Sequence, residues 1–370
     1  DSADECARGR RTDASIETRR LRDDARHSAT PRDAPSERDA MDASAGIGSI
    51  SPTSRFVRDA VAARVEATRA KDVETLATPL GATCVEFDDV RYAVTSVADE
   101  RGGRVRVDVS VGAPGGAFEE RRAMEDAATL ICLSDGTIAA NEKANAGYDA
   151  TFRVDVTAIA SLEDEERREE ILQRVSRVRN AVYGAKLRGH LRELAATGGT
   201  EGALDWSPRR RGETMFIKPQ NDQVTVIFPM HFADARDAVI ATQFLTQFAE
   251  VRRGQKELST APAVSYHKSP PLELKDAPEE MIGDANGGYV SFVLFKRHAT
   301  PDRLEATVWN IMTFHAFVSY HIKYSKAYWH SRMRQKVESW LSILKRAKKV
   351  DPSGNGKKMT TADGRTFVRK

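Results

Sequence analysis

The residues of this chain that could do chemistry are eight histidines, three cysteines and a run of acids at 163–166. His315 and His321 lie six positions apart in a segment without Pro or Gly, where a helix would put them on different faces. We expect them, like His330, to be seam or surface residues rather than metal ligands. The acidic run opens a predicted helix, where acids favour the helix dipole, so we do not assign it a metal.

The three cysteines are Cys6, Cys84 and Cys132. Their wide spacing predicts neither a disulfide framework nor a CxxC metal site, and it fits a reducing compartment. A glycine pair at Gly46 and Gly48 resembles the start of a dinucleotide-binding loop but lacks the third glycine.

The chain also lacks the motifs of several common enzyme classes. It contains no GxxxxGK[ST] phosphate loop, no HExxH and no Gly-x-Ser-x-Gly elbow. We therefore predict no catalytic, cofactor-binding or metal-binding residues, and no enzyme. An enzyme with an unrecognised site stays open as an alternative, which a deep pocket with convergent titratable groups would favour.

The C-terminal end of the chain is strongly basic. Residues 323–370 hold fourteen Lys and Arg against three Asp and Glu, a net charge of +11, so the preceding residues carry −8 of the overall +3. Such an end suits an acidic protein, a nucleic acid or an anionic membrane, and a solvated basic helix face also fits it.

Aromatic residues alternate with the basic residues of this end. Tyr324, Tyr328, Trp329 and Trp340 could stack on single-stranded nucleic acid. Their helical spacing is explained more simply by packing against another helix. A nucleic-acid-binding module that uses the basic C-terminal helix and tail is therefore the alternative function, and we expect neither a nucleic acid partner nor membrane insertion.

The longest predicted element is a helix near the C-terminus. No Pro or Gly occurs over the 45 residues 304–348, which would span about 67 Å as a helix. A domain of about 100 residues has a radius of gyration near 13 Å, so most of this helix must project. Its apolar residues follow a spacing near 3.5, typical of a seam between helices. The predicted partner seam comprises Val318, Ile322, Trp329, Met333, Val337, Leu341 and Leu344. The alternative is that the N-terminal domain folds back over the helix.

Hydrophobic periodicity predicts an α+β (mixed α/β) fold with two similar domains. A hairpin, a helix, a strand and a long helix occur in that order twice, so each domain should pack an antiparallel sheet with a long helix, and an extended C-terminal helix follows. In the first half we expect strands at 85–94, 105–111 and 148–159 and helices at 51–71, 119–133 and 162–196. In the second half we expect strands at 214–218, 223–228, 263–267 and 288–298 and a helix at 234–254.

Composition divides the chain further. The first forty residues hold nine Arg, ten acids and no aromatic residue, which is typical of a disordered segment. A Gly- and charge-rich stretch near the middle predicts a linker. The predicted organisation is a disordered N-terminal extension at 1–45, a first α/β domain at 50–197, a linker at 198–212, a second α/β domain sheet and helix at 213–300, the long helix at 301–350 and a basic tail at 351–370.

Several segments of the second half are similar in sequence to one protein family. They are ETMFI at 213–217, DQVTV at 222–226, SPPLELKD at 269–276, GYVSFVLF at 288–295 with RH at 297–298, YHIK at 320–323, SKAY at 325–328 and RMR at 332–334. Together they resemble subunit 2, the 34-kilodalton subunit, of the actin-related protein 2/3 complex. The resemblance is close over 211–346, faint over 50–200, and does not reach the N-terminal extension.

This resemblance implies a non-catalytic structural core subunit of that complex, in the cytoplasm and the actin cytoskeleton. In the family the long helix pairs with the corresponding helix of subunit 4, and the pair holds both actin-related proteins against the side of a mother actin filament, from which a branch grows. Because actin is acidic, basic residues of the C-terminal end become candidates for filament contact. They are Arg332, Arg334, Lys336, Lys345, Arg346, Lys348 and Lys349. No cofactor is implied.

Overall fold

A computed structural model describes residues 51–97, 103–114, 121–210, 213–347, 358–360 and 366–368. The predicted disordered extension at 1–45 lies outside these residues. Of the predicted basic tail at 351–370, the structure describes only two short strands, at 358–360 and 366–368.

The first half of the described chain forms a five-stranded antiparallel sheet with helices packed on it. Its elements are α1 (Arg55–Ala70), α2 (Val73–Ala77), β1 (Gly81–Glu86), β2 (Val90–Val97), β3 (Arg106–Gly112), α3 (Arg121–Ile131), β4 (Ile138–Ala140), β5 (Ala150–Asp155), α4 (Val156–Ala160), α5 (Glu165–Ser176), α6 (Val178–Tyr183) and α7 (Ala185–Thr197). The strands lie in the order β1-β2-β3-β5-β4. The alternating valines of β2 and β3 bury one face against the core.

The second half repeats this architecture. Its elements are β6 (Asp205–Arg210), β7 (Glu213–Gln220), β8 (Gln223–Pro229), α8 (Ala235–Gly254), β9 (Ala263–His267), α9 (Glu279–Ile282), β10 (Tyr289–Phe295) and α10 (Leu304–Ala347), followed by the strand pair β11 (Lys358–Thr360) and β12 (Thr366–Val368). The sheet order is β6-β7-β8-β10-β9. The two sheets therefore have the same strand order, with the fourth and fifth strands exchanged relative to the sequence. The predicted fold class, two antiparallel sheets and an extended C-terminal helix, is confirmed.

Several predicted boundaries are wrong for local reasons. The predicted strand 85–94 is two strands, because the chain turns at Phe87–Asp89 with positive φ angles of 71° at Asp88 and 55° at Asp89. The predicted strand 148–159 ends at Asp155, whose carboxylate accepts a hydrogen bond from Ala158 N and caps α4. The predicted linker 198–212 contains strand β6.

The predicted helix 162–196 is three helices, α5 to α7, and it begins after Asp164 rather than after Ser161. The breaks fall at Arg177 and Gly184. At Gly184 a Cβ atom would lie 2.5 Å from Val308 Cγ1 and 2.6 Å from Asn180 O. Because glycine has no side chain, the backbone at Gly184 approaches α10 more closely than another residue would allow.

Helix α8 leaves two of its large apolar residues at the surface. Val239 and Phe244 are 71% and 37% exposed. The buried face is instead lined by Ala238, Ala241, Leu245 and Ala249. Small alanines on this face bring α8 close to the second sheet and to α10.

Candidate partner-binding surface

The first half of α10 belongs to the core of the second sheet. Val308, Ile311 and Phe314 are buried there, and the ring centroid of Phe314 lies 4.7 Å from that of Phe292 in a T-shaped contact. The stripe of apolar residues at three- and four-residue spacing explains this packing, since such positions share one face of a helix. The N-terminal half of α10 is therefore held by its own sheet.

Polar contacts tie the same half of α10 to the helices of the first half of the chain. The buried Arg188 donates hydrogen bonds to Glu305 over 2.7 Å and 2.9 Å, and Asn180 Nδ2 donates to Glu305 over 3.0 Å. One turn further on, the Arg179 guanidinium lies 5.3 Å from the centroid of the Trp309 ring. These contacts fix the base of α10 against α6 and α7.

Two contacts flank the point where α10 leaves the body. Lys326 Nζ lies 2.5 Å from Asp234 Oδ2 and 2.6 Å from Asp237 Oδ1, at the start of α8. The hydrogen bond from Lys326, together with those from Arg236, holds the pKa of Asp234 well below its usual range. The ring of Phe87, in the turn between β1 and β2, makes an edge contact with Tyr320 of α10 at 5.9 Å between centroids.

Beyond these contacts, the helix projects from the body. Every residue from 329 to 347 is exposed, which corresponds to about 28 Å of helix at 1.5 Å per residue. We call residues 329–347 the projecting segment.

One face of the projecting segment carries large apolar side chains that are half exposed or more. The apolar stripe comprises Trp329 (61%), Met333 (60%), Val337 (56%), Trp340 (66%), Leu341 (50%), Ile343 (51%) and Leu344 (62%). It continues the face that is buried in the first half of α10. Contiguous exposed apolar surface of this kind marks interaction sites in soluble proteins.

The structure divides the predicted partner seam into two parts. Val318 and Ile322 are 0% and 2% exposed because they pack in the core of the second sheet, so the prediction that they face a partner helix is corrected. The remaining predicted members, Trp329, Met333, Val337, Leu341 and Leu344, lie in the apolar stripe. The predicted seam omitted Trp340 and Ile343, although their spacing from Met333 and Trp329 places them on the same face.

The predicted filament contacts also lie on the projecting segment. Arg332, Arg334, Lys336, Lys345 and Arg346 are exposed, while Lys348 and Lys349 lie outside the described residues. Besides these five cations, the projecting segment carries a single acid, Glu338. The Arg332 guanidinium lies 5.7 Å from the centroid of the Tyr328 ring. The segment is therefore both amphipathic and cationic.

The two histidines of α10 are packing residues. His315 is 2% exposed, with its Nδ1 3.4 Å from Glu213 Oε2. The His321 ring stacks on Phe244 and contacts the edge of Phe317, and burial lowers the pKa of its imidazole. The two rings do not share a site, in agreement with the spacing argument.

A cavity of about 450 Å³ lies near the start of β6 and was not predicted. His190 Nε2 lies 3.0 Å from Asp205 Oδ2, and Lys186 Nζ lies 3.1 Å from Asp205 Oδ1. Burial alone would raise the pKa of Asp205, but the hydrogen bond from His190 and the charge of Lys186 lower it to about 2. Thr200 in turn donates to Glu193 over 3.1 Å. The titratable groups of this cavity are thus engaged with one another.

Two kinds of feature are absent from the part of the chain that the structure describes. Within it, no group of three or more His, Cys, Asp and Glu residues is placed to hold a metal ion. Among the described helices, none combines the length and the apolar character that crossing a bilayer requires.

Comparison with known proteins assigns the chain to a family. A model of the family described as Arp2/3 complex, 34 kD subunit p34-Arc, matches residues 128–351. Actin-related protein 2/3 complex subunit 2A of Arabidopsis thaliana is 36% identical over 297 residues, which cover 77% of this chain and 87% of the relative. The chain belongs to the p34-Arc family.

A second p34-Arc relative is similar over a shorter stretch. Actin-related protein 2/3 complex subunit 2 of Dictyostelium discoideum is 44% identical over 140 residues, which cover 38% of this chain and 46% of the relative. The p34-Arc match contains both α10 and its apolar stripe, and it begins well before Arg211, where the resemblance was expected to become close.

Proposed function

We propose that this chain is a non-catalytic core subunit of the Arp2/3 complex in the actin cytoskeleton of the cytoplasm. Its α10 pairs with the corresponding long helix of subunit 4 of that complex. The observation that carries this proposal is the apolar stripe, seven large side chains that are 50–66% exposed on a helix held rigidly at its base. Membership of the p34-Arc family and the similarity to Arp2/3 complex subunit 2A of Arabidopsis thaliana support it.

The composition of the apolar stripe suits a helical partner. Trp329 and Trp340 lie eleven positions apart on one face, and tryptophan is enriched among residues that dominate binding energy. Complete burial of one such side chain contributes about 1.5–3 kcal/mol, so a partner that covers several of them offsets the cost of association. A second long helix covers the whole stripe because its own apolar face runs alongside.

We propose that the cations flanking the stripe contact the side of a mother actin filament in branched nucleation. They are Arg332, Arg334, Lys345 and Arg346, with Lys348 and Lys349 beyond the described residues, and Lys336 is treated separately below. Their support is the excess of positive charge on a projecting helix, since opposite charge steers and orients protein association.

Charge reversal tests the filament contact. Arp2/3 complex assembled with Arg334→Glu and Lys345→Glu in this chain should co-sediment less with actin filaments and form fewer branches, with the difference shrinking at high salt. Lys143→Glu, an exposed residue of the first half, is the matched control. Unchanged co-sedimentation of the double variant would remove the filament proposal. Binding of the wild-type chain to nucleic acid with a steep salt dependence would favour the alternative function.

A further inference from the structure

One cation lies inside the apolar stripe rather than beside it. Lys336 comes seven residues after Trp329 and seven before Ile343, and it comes three after Met333 and four before Trp340. Residues at these spacings are neighbours on one face of a helix. Of its neighbours at three and four residues, Met333 and Trp340 are large and apolar, whereas Arg332 and Ser339 lie toward the edge of the stripe.

Helical geometry places Lys336 nearer to the middle of the apolar stripe than the other cations of the segment. At 100° per residue, Lys336 lies about 40° around the helix from Trp340, within the arc of the stripe. Measured from Trp340 in the same way, Arg332 lies at about 80°, Arg334 at about 120° and Lys345 at about 140°. A helix that covers Trp340 and Met333 must therefore cover Lys336 as well, and it leaves Lys345 on the far side.

The segment itself offers Lys336 no carboxylate on this face. Glu338, its single acid, is two positions away, and side chains at that spacing point to different faces of a helix. An ammonium group that enters an interface without an anion keeps its desolvation cost. A carboxylate on the incoming helix would offset that cost.

We propose that Lys336 fixes the register of the partner helix by pairing with an Asp or Glu of that helix, and that it is not a filament contact. A single Lys in an otherwise apolar seam favours the alignment that supplies its counter-charge and disfavours alignments shifted by one or two turns. The partner of this surface is thus a helix with an apolar stripe interrupted by one acid. This inference rests on the proposed pairing with subunit 4.

The test measures the dissociation constant of full-length chain and subunit 4 from the same organism by surface plasmon resonance. Lys336→Glu should weaken binding about tenfold or more, because it places two acids together in the seam. Lys143→Glu makes the same charge change at an exposed residue outside α10 and should stay within about twofold of the wild type. Lys336→Met should bind at least as tightly, since a straight apolar chain removes the desolvation cost.

Register is read separately by cross-linking the two helices and locating the linked residues by mass spectrometry. The wild type should give one set of linked pairs, and Lys336→Met should add sets shifted by whole turns. Equal affinities for Lys336→Glu and Lys143→Glu, or one unshifted set for Lys336→Met, would overturn the inference while leaving the pairing intact. A wild-type chain that does not bind subunit 4 would overturn the proposed function and this inference with it.

Discussion

Lys326 Nζ lies 2.6 Å from Asp237 Oδ1, and this contact stands between the buried and the projecting parts of α10. Ile322, one turn earlier, is buried, and Trp329, one turn later, is exposed. A helix that projects about 28 Å amplifies any change of angle at its base. The contact is therefore placed to set the direction in which the apolar stripe points.

Removing the charge of Lys326 should widen the range of directions that the projecting segment samples. Spin labels at Ser342→Cys and Glu250→Cys, in a chain whose native cysteines are replaced, report that range as a distance distribution. Lys326→Met should broaden the distribution because Asp234 and Asp237 both lose their contact with α10. Lys323→Met, three residues earlier and exposed, is the matched control. Equal widths in both variants would show that packing alone fixes the direction.

Trp340 should be a dominant contact of the partner helix. It is 66% exposed in this chain, so Trp340→Ala should leave the free energy of unfolding within about 0.5 kcal/mol of the wild type. Its affinity for subunit 4 should fall by about 2 kcal/mol, roughly thirtyfold, as for buried aromatic anchors. Gln335→Ala, about 140° away around the helix, should change neither quantity. A loss of chain stability equal to the loss of affinity would instead assign Trp340 to the fold.

Breaking the ion pair at the base of α10 should strongly destabilise the chain, because it leaves a buried charge without its partner. Arg188 is fully buried, whereas Glu305 keeps 39% of its side chain exposed. Glu305→Gln removes the counter-charge and leaves the guanidinium buried, which should cost about 3 kcal/mol in urea unfolding. Glu250→Gln, on the exposed face of α8, is the control. A double variant, Arg188→Met with Glu305→Leu, should recover part of the loss, and the absence of any loss in Glu305→Gln would contradict this account.

His298 should make the stability of the second sheet dependent on pH. Its Nδ1 accepts a hydrogen bond from Phe295 N over 2.9 Å, and its Nε2 lies 2.9 Å from Thr260 O. Burial lowers the pKa of His298 below its usual value of 6.5, and the charges of Arg297, Arg303 and Arg252 act in the same direction.

The sign of this dependence follows from linkage. The folded-state pKa of His298 lies below the unfolded one. The neutral ring therefore contributes fully to the free energy of unfolding above about pH 6.5, and this contribution is lost as the pH falls through the folded pKa. The loss amounts to about 1.4 kcal/mol for each pKa unit between the two states. Nuclear magnetic resonance titration of the ring measures the folded-state pKa. Denaturant unfolding of the wild type and His298→Gln at pH 7.5 and 5.5 measures the loss of stability. A folded-state pKa at or above 6.5 would contradict the prediction.

Much of the fold could be predicted from the sequence, because its strands alternate and its helices have apolar stripes. The valines of β3 and the absence of Pro and Gly in α10 specified those elements. The close approach at Gly184 could not be found this way, since Val308, which packs against it, lies more than a hundred residues along the chain. Tertiary contacts of this kind leave no periodic signal.

The candidate surface could be predicted only in part for a related reason. The apolar pattern of α10 is continuous, so nothing in the spacing distinguishes Ile322, buried in its own domain, from Met333, exposed on the projecting segment. The boundary is set by where α8 ends its contact, at Lys326, and that position depends on how the two helices cross. Periodicity identifies a helix face, and only the structure assigns its partner.

The most direct test of the central claim is co-expression of this chain with subunit 4 from the same organism, followed by size-exclusion chromatography with light scattering. A one-to-one heterodimer is predicted for the wild type because a partner helix covers the apolar stripe. If the wild-type chain and subunit 4 elute separately, with the wild-type chain as a monomer, the assignment of the apolar stripe to that partner is contradicted.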